Sequence, residues 1–261
     1  MNTSLINTLG DELFEALQQR TSIKPLTDRR PDLTIDDAYY ISLRMLARRQ
    51  SLGEEVVGKK IGVTSKVVQE MLGVHRPDFG FLTQTMEYPN KGEIPIQGHL
   101  IQPRAEAEIG FKLKKDLKGP GVTEADVLAA TDYIMPCFEI VDSRIDNWQI
   151  KIQDTIADNA SCGVYVLGEG QADPNEIDLA NILVTVKKNG QFLSEGKGSA
   201  VQGNPLTAVA WLANTLGEYD IPFLAGEVIL SGSLVPLEPV QAGDQMEMTL
   251  TGVGTCHIQF V

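Results

Sequence analysis

The chain reads as an α+β protein, and three observations carry that reading. Apolar residues recur at helical spacing through roughly the first fifty residues; two-residue alternation then dominates; and Gly- and Pro-bearing turns punctuate everything that follows. The expectation is a helical N-terminal part, then a mainly antiparallel or mixed β-rich part with a few covering helices. No internal repeat or low-complexity tract interrupts it.

From Ser4 to Arg20, Leu5, Leu9, Leu13, Phe14 and Leu17 fall on one helical face. "KPLTDRRPDL" breaks the pattern. Thr34 followed by Asp37 has the form of a capping box, and Gly53 fits the stop of a second helix, so residues 1–54 are expected to form a helical subdomain. "EEVVGKKIGVTSK" is a strand entering a turn, and "KVVQEMLGV" is a short helix closed by Gly73. "IPIQGHLIQPRAEAEIGFKLKKDLKGPG" should supply short strands, and "VTEADVLAATDYI" a helix with Thr123 at its cap. "YIMPCFEIVDSR" is a mostly apolar strand. Asn189-Gly190 between two alternating runs marks a hairpin, and "NPLTAVAWLANTLGEY" a helix with Asn204 at the cap and Pro205 in its first position. The C-terminal segment is strand after strand.

At 261 residues the chain can bury about 70–75 % of its unfolded surface. Its 35 acidic against 22 basic residues give a net charge of −13, which repels nucleic acid and anionic membrane surfaces. Cys137, Cys162 and Cys256 are widely spaced with no CxxC, which argues against a disulfide framework or a thiolate zinc site and for a reducing compartment. The N-terminus carries acids where a signal peptide needs bases, and no apolar run reaches membrane-spanning length. A cytoplasmic protein is expected.

The alternation of "RAEAEIGFKLK" places Glu106 and Glu108 on one side of a strand, about 7 Å apart. Two readings stand: the wet face of a half-buried strand, or a pair that holds something. Glu139 interrupts the apolar run "YIMPCFEIV", and a buried ionised carboxylate needs an arginine such as Arg104 or Arg144, or a cation. Carboxylates converging from two strands would suit a hard divalent ion such as Mg²⁺, and the absence of histidine argues against zinc. Lys60 shares a strand face with Gly58, Gly62 and Thr64, so it either sits in a cleft or is solvated. "DNASCG" offers Asp158, Asn159, Ser161 and Cys162 in turn-like chemistry. Neither GxxxxGK[ST] nor GxGxxG is present, and His75, His99 and His257 lack a nucleophile motif.

"GKKIGVTSK", "MLGVHRPDFG", "IQPRAEAEIGF", "CFEIVDSR", "IQDTIADNASCG" and "GEVILSGSLVPLEPVQAGD" together closely resemble, over essentially the whole chain, the hydratases of aromatic meta-cleavage pathways. These 2-hydroxypenta-2,4-dienoate (2-oxopent-4-enoate) hydratases are a branch of the fumarylacetoacetate hydrolase superfamily. The resemblance implies a β-rich roll, with residues 55–261 as the catalytic domain. It implies a Mg²⁺ or Mn²⁺ site at Glu106, Glu108 and Glu139, and a pocket lysine at Lys60. Asp78 and Ser161 would position water or substrate. It further implies a homo-oligomer that associates with a neighbouring pathway enzyme. The 4-oxalocrotonate decarboxylases share the ExE pair, the lysine and "ADNAS"; the segment around Asp78 and "LSGSLVPLEPV" favour the hydratase. The His-Glu pair typical of the superfamily's hydrolases has no counterpart here.

Overall fold

The computed structural model describes all 261 residues, with side chains for all but Val67 and Met71. In chain order the elements are α1 Thr3–Gln19, α2 Leu26–Arg29, α3 Ile35–Ser51, β1 Val56–Gly62, α4 Lys66–Leu72, β2 Asp78–Thr83, β3 Glu87–Tyr88, β4 Glu93–Ile94 and β5 Arg104–Leu113. They continue with α5 Glu124–Ala130, β6 Thr131–Val141, α6 Ile152–Ala157, β7 Cys162–Leu167, β8 Leu183–Lys188, β9 Gln191–Lys197, α7 Pro205–Glu218, β10 Val228–Leu230, β11 Glu238–Pro239, β12 Gln245–Leu250 and β13 Gly254–Phe260.

Local chemistry accounts for most of these boundaries. Thr34 and Asp37 form the expected reciprocal capping box at α3, and Thr123 does the same with Asp126 at α5. Asn204 caps α7 ahead of Pro205. Asn189 and Gly190 adopt left-handed conformations and join β8 to β9, as the hairpin signal requires.

One sheet runs β2-β1-β10-β5-β6-β7-β3, with β11 also on β5; a second runs β4-β13-β12-β8-β9. One hydrophobic cluster joins Leu13, Ile41 and Met45 of the N-terminal helices to Ile109 and Phe111 of β5 and to Leu212 of α7. A smaller cluster of Leu82, Met86, Met135, Cys137, Tyr165, Val228 and Leu230 fills the other face of the larger sheet. β5 is thus covered on both faces, and its alternation separates two interiors rather than core from water.

One expectation needs correction. Residues 95–103 form no strand: the Ile101 and Gln102 amides donate to the Asp142 carboxylate, so they are unavailable to a ladder. The helices α2 and α6 were not legible, because they stabilise one another across the chain. Asp154 of α6 accepts from both the amide and the hydroxyl of Thr27 in α2.

Candidate functional site

The antiparallel register of β5 on β6 sets Glu106 opposite Glu139 and Glu108 opposite Cys137. Directly opposed residues share a sheet face. Glu106, Glu108 and Glu139 therefore converge, and one oxygen from each lies within 4.8 Å of the others. Glu108 and Glu139 are fully buried, while Glu106 is partly exposed. Glu108 Oε2 accepts from the Gly232 amide at 2.8 Å. Glu108 Oε1 and both Glu139 oxygens have no hydrogen-bond partner among the described residues.

Neither Arg104 nor Arg144 pairs with Glu139. Arg104 lies over the Trp148 ring at 4.7 Å, and Arg144 forms a buried ion pair with Asp158. The cation beside Glu139 is Lys60, whose Nζ is 3.2 Å from Oε1. Burial, the largest influence, pulls the Lys60 pKa down; Glu139, Asp78, Cys162 and Glu106 outweigh it and raise it above the ordinary value. Lys60 is held as an ammonium. Burial pushes Glu106 up to about 8 and Glu108 well above its ordinary value, with Glu139's charge acting in the same direction.

Asp78, the first residue of β2, pairs in register with Gly62 at the end of β1. A Cβ at Gly62 would meet Asp78 Oδ1 at 2.3 Å and Lys60 Nζ at 3.3 Å, so only a glycine lets this carboxylate and ammonium share the space. Both Asp78 oxygens are buried without a hydrogen bond, and burial pushes the group up to about 6 while Lys60 opposes the shift.

The hydroxyl partner of Ser161 is Thr155 Oγ1 at 3.2 Å, and Thr155 in turn favours the ionised form of Asp78. Ser161 ends a run of left-handed residues, with φ 54°, 51° and 54° at Asn159, Ala160 and Ser161. Three such non-glycine residues in succession store strain that the surroundings must offset. The Asn159 side chain bonds both the amide and the carbonyl of Phe81, closing the outer edge of β2. Arg144 donates to the carbonyls of Asp142 and Cys162 as well as to Asp158. Cys162, buried against Glu139 and Lys60, has its thiol pKa raised well above the ordinary value by burial.

Lys59, the neighbour of Lys60, is buried too. It does lie on the opposite face of β1 from Lys60, but that face is also closed. Its side chain is 2 % exposed and ion-paired to Glu227, with a further bond to the Pro222 carbonyl. Sequence reasoning missed Gly232, Thr155 and Glu227; none carries a local pattern, and only the glycine in "LSGSL" could have prompted a search. Surface clefts of about 250 Å³ beside Lys187 and His257 and about 210 Å³ beside Arg20 and His99 contain none of the carboxylate trio.

The trio suits a divalent cation. Three carboxylates this close repel one another unless neutralised, and their unpartnered buried oxygens form an all-oxygen donor set of the kind Mg²⁺ and Mn²⁺ take.

Comparison with known proteins matches the Fumarylacetoacetate (FAA) hydrolase C-terminal family to residues 59–261. The chain is 61 % identical over 256 residues to the 2-hydroxyhexa-2,4-dienoate hydratase of Comamonas testosteroni, covering 98 % of this chain and 97 % of that one. It is 61 % identical over 221 residues to the 2-hydroxypent-2,4-dienoate hydratase of Pseudomonas putida, covering 85 % of this chain and 100 % of that one. Among solved structures, 4-oxalocrotonate decarboxylase from Pseudomonas putida G7, complexed with magnesium and adipate, superimposes with a TM-score of 0.97 at 34 % identity, covering 100 % of this chain and 99 % of that one.

Proposed function

Because the chain belongs to the fumarylacetoacetate hydrolase family, whose model spans residues 59–261, we propose that it is a metal-dependent hydratase. It adds water to 2-hydroxypenta-2,4-dienoate (2-oxopent-4-enoate) and yields 4-hydroxy-2-oxopentanoate, a hydro-lyase reaction of aromatic meta-cleavage catabolism. The observation that carries hydration over decarboxylation is relatedness. Relatives 61 % identical bear hydratase names, whereas the decarboxylase with the near-superimposable fold is 34 % identical. Fold alone does not choose between the reactions.

In this reading Glu106, Glu108 and Glu139 hold Mg²⁺ or Mn²⁺, which when bound would draw charge from the substrate's carboxylate and 2-oxygen. Hydration needs a proton delivered to the far end of the dienol, removal of the 2-hydroxyl proton, attack of water oxygen at C4 with loss of one water proton, and a proton added at C3. Lys60 and Asp78 are the groups that move these protons. Lys60 is held charged, and Asp78, pushed up to about 6, can gain and release a proton near neutral pH. Ser161, fixed by Thr155 and the left-handed run, orients water or substrate.

No helix among the described residues is long and apolar enough to cross a membrane. We take the enzyme to act in the cytoplasm as a homo-oligomer that associates with a neighbouring pathway enzyme; co-purification with the pathway's decarboxylase tests the association.

The deciding assay offers purified protein and Mg²⁺ the dienoate and 2-oxo-3-hexenedioate separately, recording chromophore loss and CO₂ release. Dienoate hydration without CO₂ is expected. Stoichiometric CO₂ from the diacid with negligible dienoate turnover would assign the chain to the decarboxylases instead.

A further inference from the structure

β10 formally ends at Leu230, opposite Gly110 of β5, yet the chain keeps following β5 beyond that point. The Ser231 amide donates to the Ile109 carbonyl at 3.1 Å, and the Leu234 amide to the Ala107 carbonyl at 3.0 Å. The two donors are three positions apart but the two acceptors only two. One residue is in excess, so Gly232 and Ser233 together face the single residue Glu108. This is a β-bulge, and a bulge releases an amide from the ladder and re-aims it. The released Gly232 amide points to Glu108 Oε2 at 2.8 Å. Its φ of +102° favours glycine, and a Cβ there would meet Thr64 Cγ2 at 2.5 Å and Oγ1 at 2.6 Å. Backbone conformation and packing therefore both reserve the position for a residue without a side chain.

We infer that Gly232 is a positioning residue of the cation site: its bulged amide fixes one Glu108 oxygen, leaving the unpartnered Oε1 to face the cation. The inference rests on the metal reading of Glu106, Glu108 and Glu139. An amide in this place orients the carboxylate as outer partners of metal ligands do, an effect worth about 10–100-fold in metal affinity. A purely structural glycine would lower stability without touching affinity.

The test is Mn²⁺ binding, read by electron paramagnetic resonance of the free ion, for the parent chain, Gly232→Ala and Gly226→Ala. Gly226 is the control: its φ is +90°, but nothing lies within 4 Å of its would-be Cβ. Both substitutions impose left-handed strain; only one disturbs the Glu108 contact. Gly232→Ala should weaken Mn²⁺ binding by about 10–100-fold, while Gly226→Ala stays close to the parent. Unchanged affinity in Gly232→Ala, or equal loss in both, would overturn the assignment. Failure of the parent to bind Mn²⁺ would remove the metal reading and this inference together. A second measurement needs no variant. In ¹⁵N-glycine-labelled parent chain, the Gly232 amide should shift on Mg²⁺ addition far more than those of Gly226 and Gly190, and an unmoved Gly232 signal would overturn the inference even if Gly232→Ala does not fold.

Discussion

The Lys60 ammonium lies 3.2 Å from a Glu139 carboxylate oxygen, and both side chains are almost wholly excluded from solvent. A buried cation is thereby placed where a bound metal ion would also draw on Glu139. With a metal ion bound there, the two positive charges would share that carboxylate. Lys60→Ala should lower turnover by about 10²–10⁴-fold, the range for one proton-transfer group. Mn²⁺ affinity should hold or rise, because a competing cation is gone. Turnover close to that of the parent would remove Lys60 from the chemistry.

Lys59→Ala is predicted to fail in a different way. It strands Glu227 in a buried environment, and breaking a buried pair from one side costs about 3–5 kcal/mol. Denaturant unfolding should show that loss, while turnover per folded molecule changes little. Lys59→Met with Glu227→Met should recover part of the stability, since no unpaired charge remains. A selective rate defect with unaltered stability would contradict the assignment of Lys59 to the scaffold.

Glu106→Gln and Glu108→Gln should each abolish Mg²⁺-dependent turnover and weaken Mn²⁺ binding. In excess chelator the same variants should melt above the parent, because each removes a buried carboxyl that folding must otherwise protonate or leave charged beside its neighbours. Full turnover of metal-stripped parent enzyme in chelator would refute the metal assignment.

The pH dependence of stability should invert with metal. Glu106 is raised from 4.5 to about 8, so between those values the folded chain without metal binds more protons than the unfolded one. Stability then falls as pH rises through that window. Metal requires the deprotonated carboxylates, so its stabilising effect grows with pH across the same interval. Melting temperatures with chelator and with saturating Mg²⁺, followed from mildly acidic to mildly alkaline buffer, should diverge. Parallel curves would refute the linkage.

Signals carried by neighbours in sequence were legible without a structure. The Thr34 capping box, the Thr123 cap, the Asn189-Gly190 hairpin and the β5 alternation each depend on residues a few positions apart, and each appears where it was expected. The ExE pair and the buried carboxylate at Glu139 were also visible, one as spacing and the other as a charge inside an apolar run. Tertiary structure decided what those charges meet. Strand register set Glu106 opposite Glu139, and the parallel pairing of β1 with β10 brought Lys60 beside Leu230, toward Glu139 rather than solvent. Alternation separates the two faces of a strand but does not reveal that both are closed. The face of β1 opposite Lys60 is closed as well, with Lys59 buried against Glu227. Arg144 turned to Asp158, and Gly232 to Glu108, for the same physical reason. A buried polar group must be satisfied by whichever partner the packed chain brings within reach, and that partner can lie more than a hundred residues away.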